Sequence, residues 1–181
     1  MSTLETTDSM IDDSFHALNE RHNNIYQFVL MYNSYIFSTH DYGLGIPLTM
    51  IESHTLTYIE DHAGITVTEL AVFWNRTKGA ISQIVSRLEK LKLIKKCKEG
   101  GNAKSVHLYP TELGVQLSKA HKLYDTVDIA KTMGELREEC SAEEIEAFYK
   151  VLKVYNKVIK KDFEINPGHR ASRKNSKKVN R

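Results

Sequence analysis

The stretch from Thr66 to Ile94 constrains the fold more than any other part of this 181-residue chain. It predicts two helices separated by a very short break. The second helix has apolar residues at spacings of three and four, which is helical periodicity; they are Ile81, Ile84, Val85, Leu88 and Leu91. Its opposite face carries small or hydrogen-bonding side chains, namely Lys78, Gly79, Ser82, Gln83, Ser86 and Arg87. One helix face is therefore expected to pack on a core while the other stays exposed.

Capping signals define the ends of both helices. Thr66 can cap the first helix, and Glu69 three residues later completes a capping box. Asn75 tolerates a left-handed backbone and can make the sharp turn, after which Thr77 caps the second helix. The buried side of the first helix is expected to consist of Leu70, Phe73 and Trp74. This is the helix-turn-helix pattern, and a polar second face of this kind can enter a DNA major groove.

After Ile94 the spacing of the apolar residues changes from the period of a helix to the alternation that is typical of strands. Residues 95–109 predict two short strands around a turn at Gly100 and Gly101. One face is expected to carry Cys97, Val106 and Leu108, and the other Lys96, Lys98, Lys104 and His107. A hairpin directly after such a helix is a wing. Thr111 then caps a further helix that continues to about Leu136.

Long helices are predicted on both sides of this segment. Helical periodicity runs over 14–38, Thr49 and Glu52 form a capping box before a helix that stops at Gly64, and Ser141 and Glu144 form another before the last helix, which frays near Phe163. We expect residues 1–13 to be disordered. Residues 166–181 carry six basic residues and no acid, and we expect a basic, disordered tail there.

Composition limits the class of protein. Three prolines and nine glycines favour a mostly helical fold, and no apolar run reaches the roughly 20 residues of a membrane helix. The acidic N-terminus does not resemble a secretory signal, and two cysteines are too few for a disulfide framework. We therefore expect a cytoplasmic location without a membrane partner. The net charge of +2 leaves the body outside the tail at −4, so any DNA affinity must come from a local patch.

The order and spacing of these motifs resemble the MarR family of bacterial winged-helix transcriptional regulators. The matching stretches are Ile65–Ala71, Thr77–Ile94 and Pro110–Gly114. The resemblance implies a mainly α fold with a winged helix-turn-helix DNA-binding domain over 45–112. The whole MarR-type fold would span residues 14–163, and its helices over 14–38 and 112–163 would form a dimerisation domain. A homodimer would place two recognition helices in successive major grooves of a pseudo-palindromic operator.

The resemblance also implies roles for individual residues. Thr77 and the helix N-terminus would meet phosphate, and Lys78, Ser82 and Gln83 would reach base edges, with Gln83 suited to adenine and Lys78 to guanine. Arg76 and Arg87 would hold phosphates. The remaining candidates for DNA contact are Gly79 and Ser86 on the helix and Asn102, Lys104 and Ser105 in the wing. The expected function is a transcriptional regulator, in the first instance a repressor, released by a small-molecule effector.

Three positions depart from the family pattern. The wing usually carries Asp-Arg-Arg, and here Asn102, Ala103 and Lys104 take that place, so a strong arginine contact in the minor groove is not expected. Glycines are usual where this chain has Asn75 and Lys92. Specificity is therefore expected to rest on the second helix rather than on the wing.

Other kinds of site are weaker alternatives. Among His16, His22, His54 and His62 no pair has the i,i+4 spacing of a helical metal motif, so no metal or cofactor is expected. Cys97 and Cys140 are expected to be inert thiols. No catalytic constellation points to an enzyme. A winged-helix protein-interaction module without DNA binding remains the rival hypothesis, and the basic tail could either solubilise the chain or add salt-sensitive phosphate binding.

Overall fold

The computed structural model describes residues 3–98 and 106–165. Its elements in chain order are α1 Thr3–Phe37, β1 Thr39–His40, β2 Leu48–Thr49, α2 Met50–Asp61, β3 Ile65–Thr66, α3 Val67–Phe73, α4 Lys78–Lys90, β4 Ile94–Lys98, β5 Val106–Pro110, α5 Glu112–Glu139 and α6 Ala142–Ile165. The chain divides into two compact units, Met1–Thr126 and Val127–Arg181. The mainly helical winged-helix fold expected from the sequence is confirmed.

The core of the first unit is built by α2, α3, α4, the strands and the start of α5. Its fully buried apolar side chains are Leu48, Leu56, Ile59, Leu70, Ile81, Leu88, Leu93, Leu108 and Leu117. The predicted apolar face of α4 lies in this core, with Ile81, Val85 and Leu88 buried and Ile84 and Leu91 packed against them. The opposite face of α4 is thereby turned outward.

The buried side of α3 differs from the expected set of Leu70, Phe73 and Trp74. Leu70 and its neighbour Ala71 are buried and Trp74 packs against the core, but Phe73 is half exposed and stacks on Tyr58. Each residue turns a helix by about 100°. Trp74 therefore lies between Leu70 and Ala71 around the helix, whereas Phe73 lies on the other side of Leu70, at the edge of the buried face.

A three-stranded antiparallel sheet has the order β3-β5-β4. The hairpin of β4 and β5 was expected, but the pairing of β3 with β5 was not. The register also corrects one prediction, because Cys97 pairs with His107 and Lys96 pairs with Leu108. Cross-strand partners share a face, so Cys97 lies on the face opposite Leu108, and Lys96 lies on the face of Leu108.

Helix α1 begins at Thr3, eleven residues before the expected start at Ser14. The prediction of disorder over 1–13 is therefore wrong for residues 3–13. These residues contain no glycine or proline that would stop a helix. The expected break over 39–47 is present. Strand β1 at its start pairs antiparallel with β2 directly after it, over two residues each, and the sequence did not indicate this pairing.

The second unit holds the end of α5 and all of α6. Ser141 and Glu144 form the expected capping box, in which the Ser141 N–H donates to Glu144 Oε2 at 2.8 Å and the Glu144 N–H donates to Ser141 Oγ at 3.2 Å. Hydrogen bonds from the backbone and the side chain of Ser141 to the Glu144 carboxylate lower the pKa of Glu144. Across the ranges 3–98 and 106–165, none of the helices is long and apolar enough to cross a membrane. The predicted tail at 166–181 lies outside the described residues.

Candidate nucleic-acid interface

The turn between α3 and α4 has the geometry that its sequence predicts. Asn75 adopts a left-handed backbone with φ of 47°. Thr77 caps α4, and its Oγ1 accepts a hydrogen bond from the Ala80 N–H at 3.2 Å. Thr66 caps α3, and its hydroxyl and N–H donate to Glu69, which lowers the pKa of that carboxyl. The two caps and the left-handed turn fix the orientation of α4 relative to α3.

The exposed side of α4 carries every polar residue expected there. All six side chains are exposed, namely Lys78, Gly79, Ser82, Gln83, Ser86 and Arg87, and Arg76 and Thr77 are exposed in the turn before them. We call these eight residues the α4 surface. A Cβ built on Gly79 meets nothing within 4 Å. The helix backbone is therefore accessible at this point to a partner that approaches closely.

Arg87 is not a free cation. Its Nε lies 2.7 Å from Glu52 Oε1, and one of its terminal nitrogens donates to the Pro47 carbonyl at 3.2 Å. Glu52 is buried, and its other oxygen accepts the Thr49 N–H at 2.9 Å as part of the expected capping box. The sequence indicated that cap but not the ion pair, which ties α4 to the start of α2.

Basic residues are concentrated around α4 and β4. Residues 76–98 contain eight basic side chains and a single acid, Glu89, for a net charge of +7. Glu89 is itself paired with Lys96 at 2.6 Å. The strand β4 adds exposed Lys95 and Lys98 beside α4. A chain of net charge +2 thus carries a local basic patch, which the count over the whole sequence concealed.

A groove of about 350 Å³ opens beside the α4 surface. Its walls come from the end of α1, the start of α2 and the turn and face of α4, with Phe37, Ile51, Glu52, Arg76, Gln83 and Arg87 among the lining residues. Gln83 and Arg76 therefore border a concave surface as well as the open face of the helix.

The end of α4 is joined tightly to α5. Lys92 adopts a left-handed backbone with φ of 60°, at the position where the family pattern has glycine. Thr111 Oγ1 donates to the Lys92 carbonyl at 2.7 Å, and the Thr111 N–H donates to the Leu93 carbonyl at 2.9 Å. A Cβ on Gly114 would lie 1.9 Å from that Leu93 oxygen, so only glycine fits there. These contacts explain the Thr111-to-Gly114 part of the motif.

The structure also brings together a cluster that the sequence analysis missed. His54 of α2 meets His121 and Asp125 of α5, and one potential ligand atom from each lies within 4.8 Å of the others. His121 and Asp125 do have the i,i+4 spacing that was reported absent among four other histidines. That spacing was the available signal, but His54 lies 67 residues from His121 in the sequence. The wing candidates Asn102, Lys104 and Ser105 lie outside the described residues.

Comparison with known proteins agrees with this geometry. A MarR family model matches residues 44–105. A curated relative from Bacillus subtilis (strain 168), named as the uncharacterized HTH-type transcriptional regulator YhjH, is 32% identical over 84 residues. That match covers 46% of this chain and 48% of YhjH, so the similarity spans about half the length of this relative.

Solved structures of similar fold extend beyond that segment. Streptococcus pneumoniae FabT, solved in complex with DNA, has a TM-score of 0.59 at 20% identity and covers 81% of this chain and 98% of its own. Lactococcus lactis ZitR, described as a zinc-responsive MarR family member, has a TM-score of 0.60 at 17% identity and covers 79% of this chain and 99% of its own. At these identities the likeness concerns the fold.

Proposed function

We propose that this chain, a member of the MarR family through residues 44–105, is a sequence-specific DNA-binding transcriptional regulator that acts as a homodimer. The observation that carries the proposal is the α4 surface. It presents a capped, exposed helix with hydrogen-bonding side chains and few acids, followed directly by a basic strand. A helix of this kind fits the major groove of B-form DNA.

We assign base contacts to the first half of α4. Lys78, Ser82 and Gln83 would reach base edges, with Gln83 donating to and accepting from adenine and Lys78 reaching guanine. Thr77 and Arg76 would meet phosphates at the helix N-terminus, where free N–H groups and the helix dipole favour anions. The open backbone at Gly79 supports a close approach of the duplex at this end.

Arg87 has a different proposed role from the phosphate contact that the sequence analysis gave it. Its guanidinium already pairs with Glu52 and the Pro47 carbonyl. A new phosphate contact would have to share or break that pair. We therefore propose that Arg87 orients α4 for binding, and that Lys95 and Lys98 of β4 join Arg76 as the main phosphate partners.

The proposed homodimer is supported by apolar surface that one chain leaves exposed. On α1 the exposed large side chains include Phe28, Val29, Leu30 and Met31, and on α6 they include Phe148, Val151, Val154 and Val158. Exposed apolar surface on this scale marks an association site. In an isologous dimer the same surfaces of both copies cover one another.

Binding to DNA fragments, measured as a function of salt, tests the function. The fragments should include the region upstream of the chain's own gene. We expect a binding site with an affinity that falls steeply with salt, because each neutralised phosphate releases counterions. The rival function, a winged-helix module that binds protein only, predicts no salt-dependent shift on any fragment, and that result would refute the regulator.

We further propose that the chain represses transcription, that it lies in the cytoplasm, and that a small-molecule effector releases it from DNA. A dimer bound at a promoter blocks access to it, and an effector that changes the spacing of the two α4 helices would release the dimer. YhjH is named as a transcriptional regulator, and we propose that this chain too acts by binding rather than by catalysis. The zinc response in ZitR's description belongs to that protein. A metal effector here would require ligands of this chain's own.

A further inference from the structure

We propose that His54, His121 and Asp125 form a binding site for a divalent transition-metal ion, of which Zn²⁺ is the type. The three side chains come from two helices, α2 and α5, and all lie in the first compact unit. His54 Nε2 lies 3.4 Å from Asp125 Oδ2, and His121 Nε2 lies 3.2 Å from the same oxygen. Two imidazoles and a carboxylate therefore point at one small volume.

The distances are those of a site that tightens on binding. Zn²⁺ bonds to histidine nitrogen and carboxylate oxygen are about 2.0–2.2 Å long. Tetrahedral bonds of that length separate ligand atoms by roughly 3.5 Å. The separations of 3.2 and 3.4 Å already match this spacing. Only the remaining edge, between the two imidazoles, has to close from at most 4.8 Å.

His121 supplies a second, independent indication of a ligand. The residue is only 2% exposed, and its Nε2 has no hydrogen-bond partner among the residues that the structure describes. The nearby Asp125 oxygen lies within reach but out of line for a hydrogen bond. A buried nitrogen without a partner is costly, and a bound cation would remove that cost.

The other nitrogen of His121 is held by a chain of hydrogen bonds. His121 Nδ1 lies 3.0 Å from Thr57 Oγ1, and the Ser118 hydroxyl lies 3.1 Å from both Thr57 Oγ1 and Glu60 Oε2. The Ser118 hydroxyl is the donor in both contacts, and the Thr57 oxygen and the Glu60 carboxylate accept. The Thr57 oxygen has a second lone pair that can accept a proton from His121 Nδ1, and in that tautomer the Nε2 lone pair is available to a metal.

Burial lowers the pKa of His121, and the nearby carboxylate of Asp125 opposes that shift. Lys122 does not face the site as a free cation, because it is bound to Glu60 at 2.6 Å and to Asp61 at 2.7 Å.

The ligand set selects the class of metal. Imidazole favours zinc and its neighbours in the first transition series over magnesium or calcium, which prefer oxygen ligands. Three protein ligands leave at least one coordination position for water or another small ligand. His54 is 37% exposed on its side chain and lies at the mouth of the cluster, so an ion can enter from solvent. Tyr42 closes another side, with its ring edge against His121.

The test is metal binding by the full chain, purified without a histidine tag and stripped with a chelator. We expect one Zn²⁺ per chain in competition with a chromophoric chelator, and visible absorption bands of a low-symmetry site when Co²⁺ replaces it. Zn²⁺ should also raise the Tm, because it binds the folded state. His54→Gln and Asp125→Asn should each weaken Zn²⁺ binding by at least ~10-fold and abolish the Co²⁺ bands. Neither residue is fully buried, so both variants should fold.

His62→Gln is the matched control, since His62 lies at the end of the same helix and outside the cluster. It should bind Zn²⁺ like the unmodified chain. A chain that binds no Zn²⁺ would show that the triad is hydrogen-bonded only. Equal binding by all three variants would place the ion on other histidines. Either result overturns the site, and neither depends on whether the chain binds DNA.

Discussion

Arg87 Nε lies 2.7 Å from Glu52 Oε1, and this ion pair joins the exposed face of α4 to the first turn of α2. Glu52 is buried and uses its other oxygen to cap α2 through the Thr49 N–H. One carboxylate therefore sets both where α2 begins and where α4 lies against it. The proposed DNA-reading helix is positioned by a contact that crosses 35 residues of sequence.

The ion pair separates the roles of two arginines. We expect Arg76→Ala to flatten the dependence of DNA affinity on salt by about one unit of slope, because one phosphate contact is lost. Arg87→Ala should leave that slope unchanged and lower the free energy of unfolding by about 1 kcal/mol, since the pair is partly exposed. Binding titrations over a range of salt and urea denaturation measure the two effects. If both variants change the slope equally, Arg87 contacts phosphate.

Gln83 is expected to specify a base rather than stabilise the fold. Gln83→Ala should remove about 1–3 kcal/mol of discrimination at one adenine position, while the free energy of unfolding changes by less than about 0.5 kcal/mol because the side chain is exposed. A binding-site selection compares the preferred sequences of the two proteins. Lys90→Ala, an exposed change on the same helix outside the α4 surface, should keep the original preference. An unchanged preference in Gln83→Ala would remove Gln83 from the base contacts.

The sequence was sufficient to predict the structural features whose sequence signals lie within a few residues of one another. The capping boxes at Thr66 and Ser141, the cap at Thr77 and the turn at Asn75 each depend on side chains within four residues of the backbone they hold. The apolar face of α4 was equally readable, because a helix repeats within one turn. These are the parts of the fold that the structure reproduces.

Features that depend on distant pairing were not predictable in the same way. The register pairs Cys97 with His107 and leaves Leu108 buried in the core. The alternation of apolar and polar residues in the sequence did not reveal which residues of the two strands would pair. The meeting of His54 with His121 and of Arg87 with Glu52 requires the helices to pack first. The i,i+4 spacing of His121 and Asp125 on α5 was a partial signal, but it could not indicate the third residue, His54, which lies on α2.

Gly79 is expected to favour binding at the expense of helix stability. Its Cβ position is open, so Gly79→Ala should stabilise the free protein by roughly 0.5–1 kcal/mol through helix propensity. The added methyl group would stand between the α4 backbone and the duplex and should reduce DNA affinity. Thermal unfolding and DNA titration of the same preparation measure both changes. A variant that is more stable and binds equally well would show that the DNA does not approach Gly79.

Lys92 occupies a strained backbone position. A left-handed conformation costs a residue other than glycine roughly 1–2 kcal/mol, and Lys92 has φ of 60°. Lys92→Gly should therefore raise the free energy of unfolding by about 1 kcal/mol. Lys90→Gly, two residues earlier inside α4, should lower it by about the same amount. Opposite signs in urea denaturation support the assignment, and a loss of stability in both variants would contradict it.

The apolar face of α6 provides the test of the proposed dimer. Val151, Val154 and Val158 recur at spacings of three and four, and each is more than half exposed in a single chain. Val154→Glu should give a monomer with unchanged helical content, because a charge is costly inside an apolar interface. Deletion of residues 141–181 should give a monomer or an aggregate. Light scattering after size-exclusion chromatography measures the mass, and circular dichroism measures the helix.

Lys153→Glu adds a negative charge to α6 away from those valines and should leave the dimer intact. A monomeric parent chain, or a Val154→Glu protein of dimeric mass, would rule out this face as the interface. Because two α4 helices must span successive major grooves, the monomeric variant should also lose most of its affinity for a two-half-site fragment. It should keep only the weaker affinity that one helix provides for a single half-site.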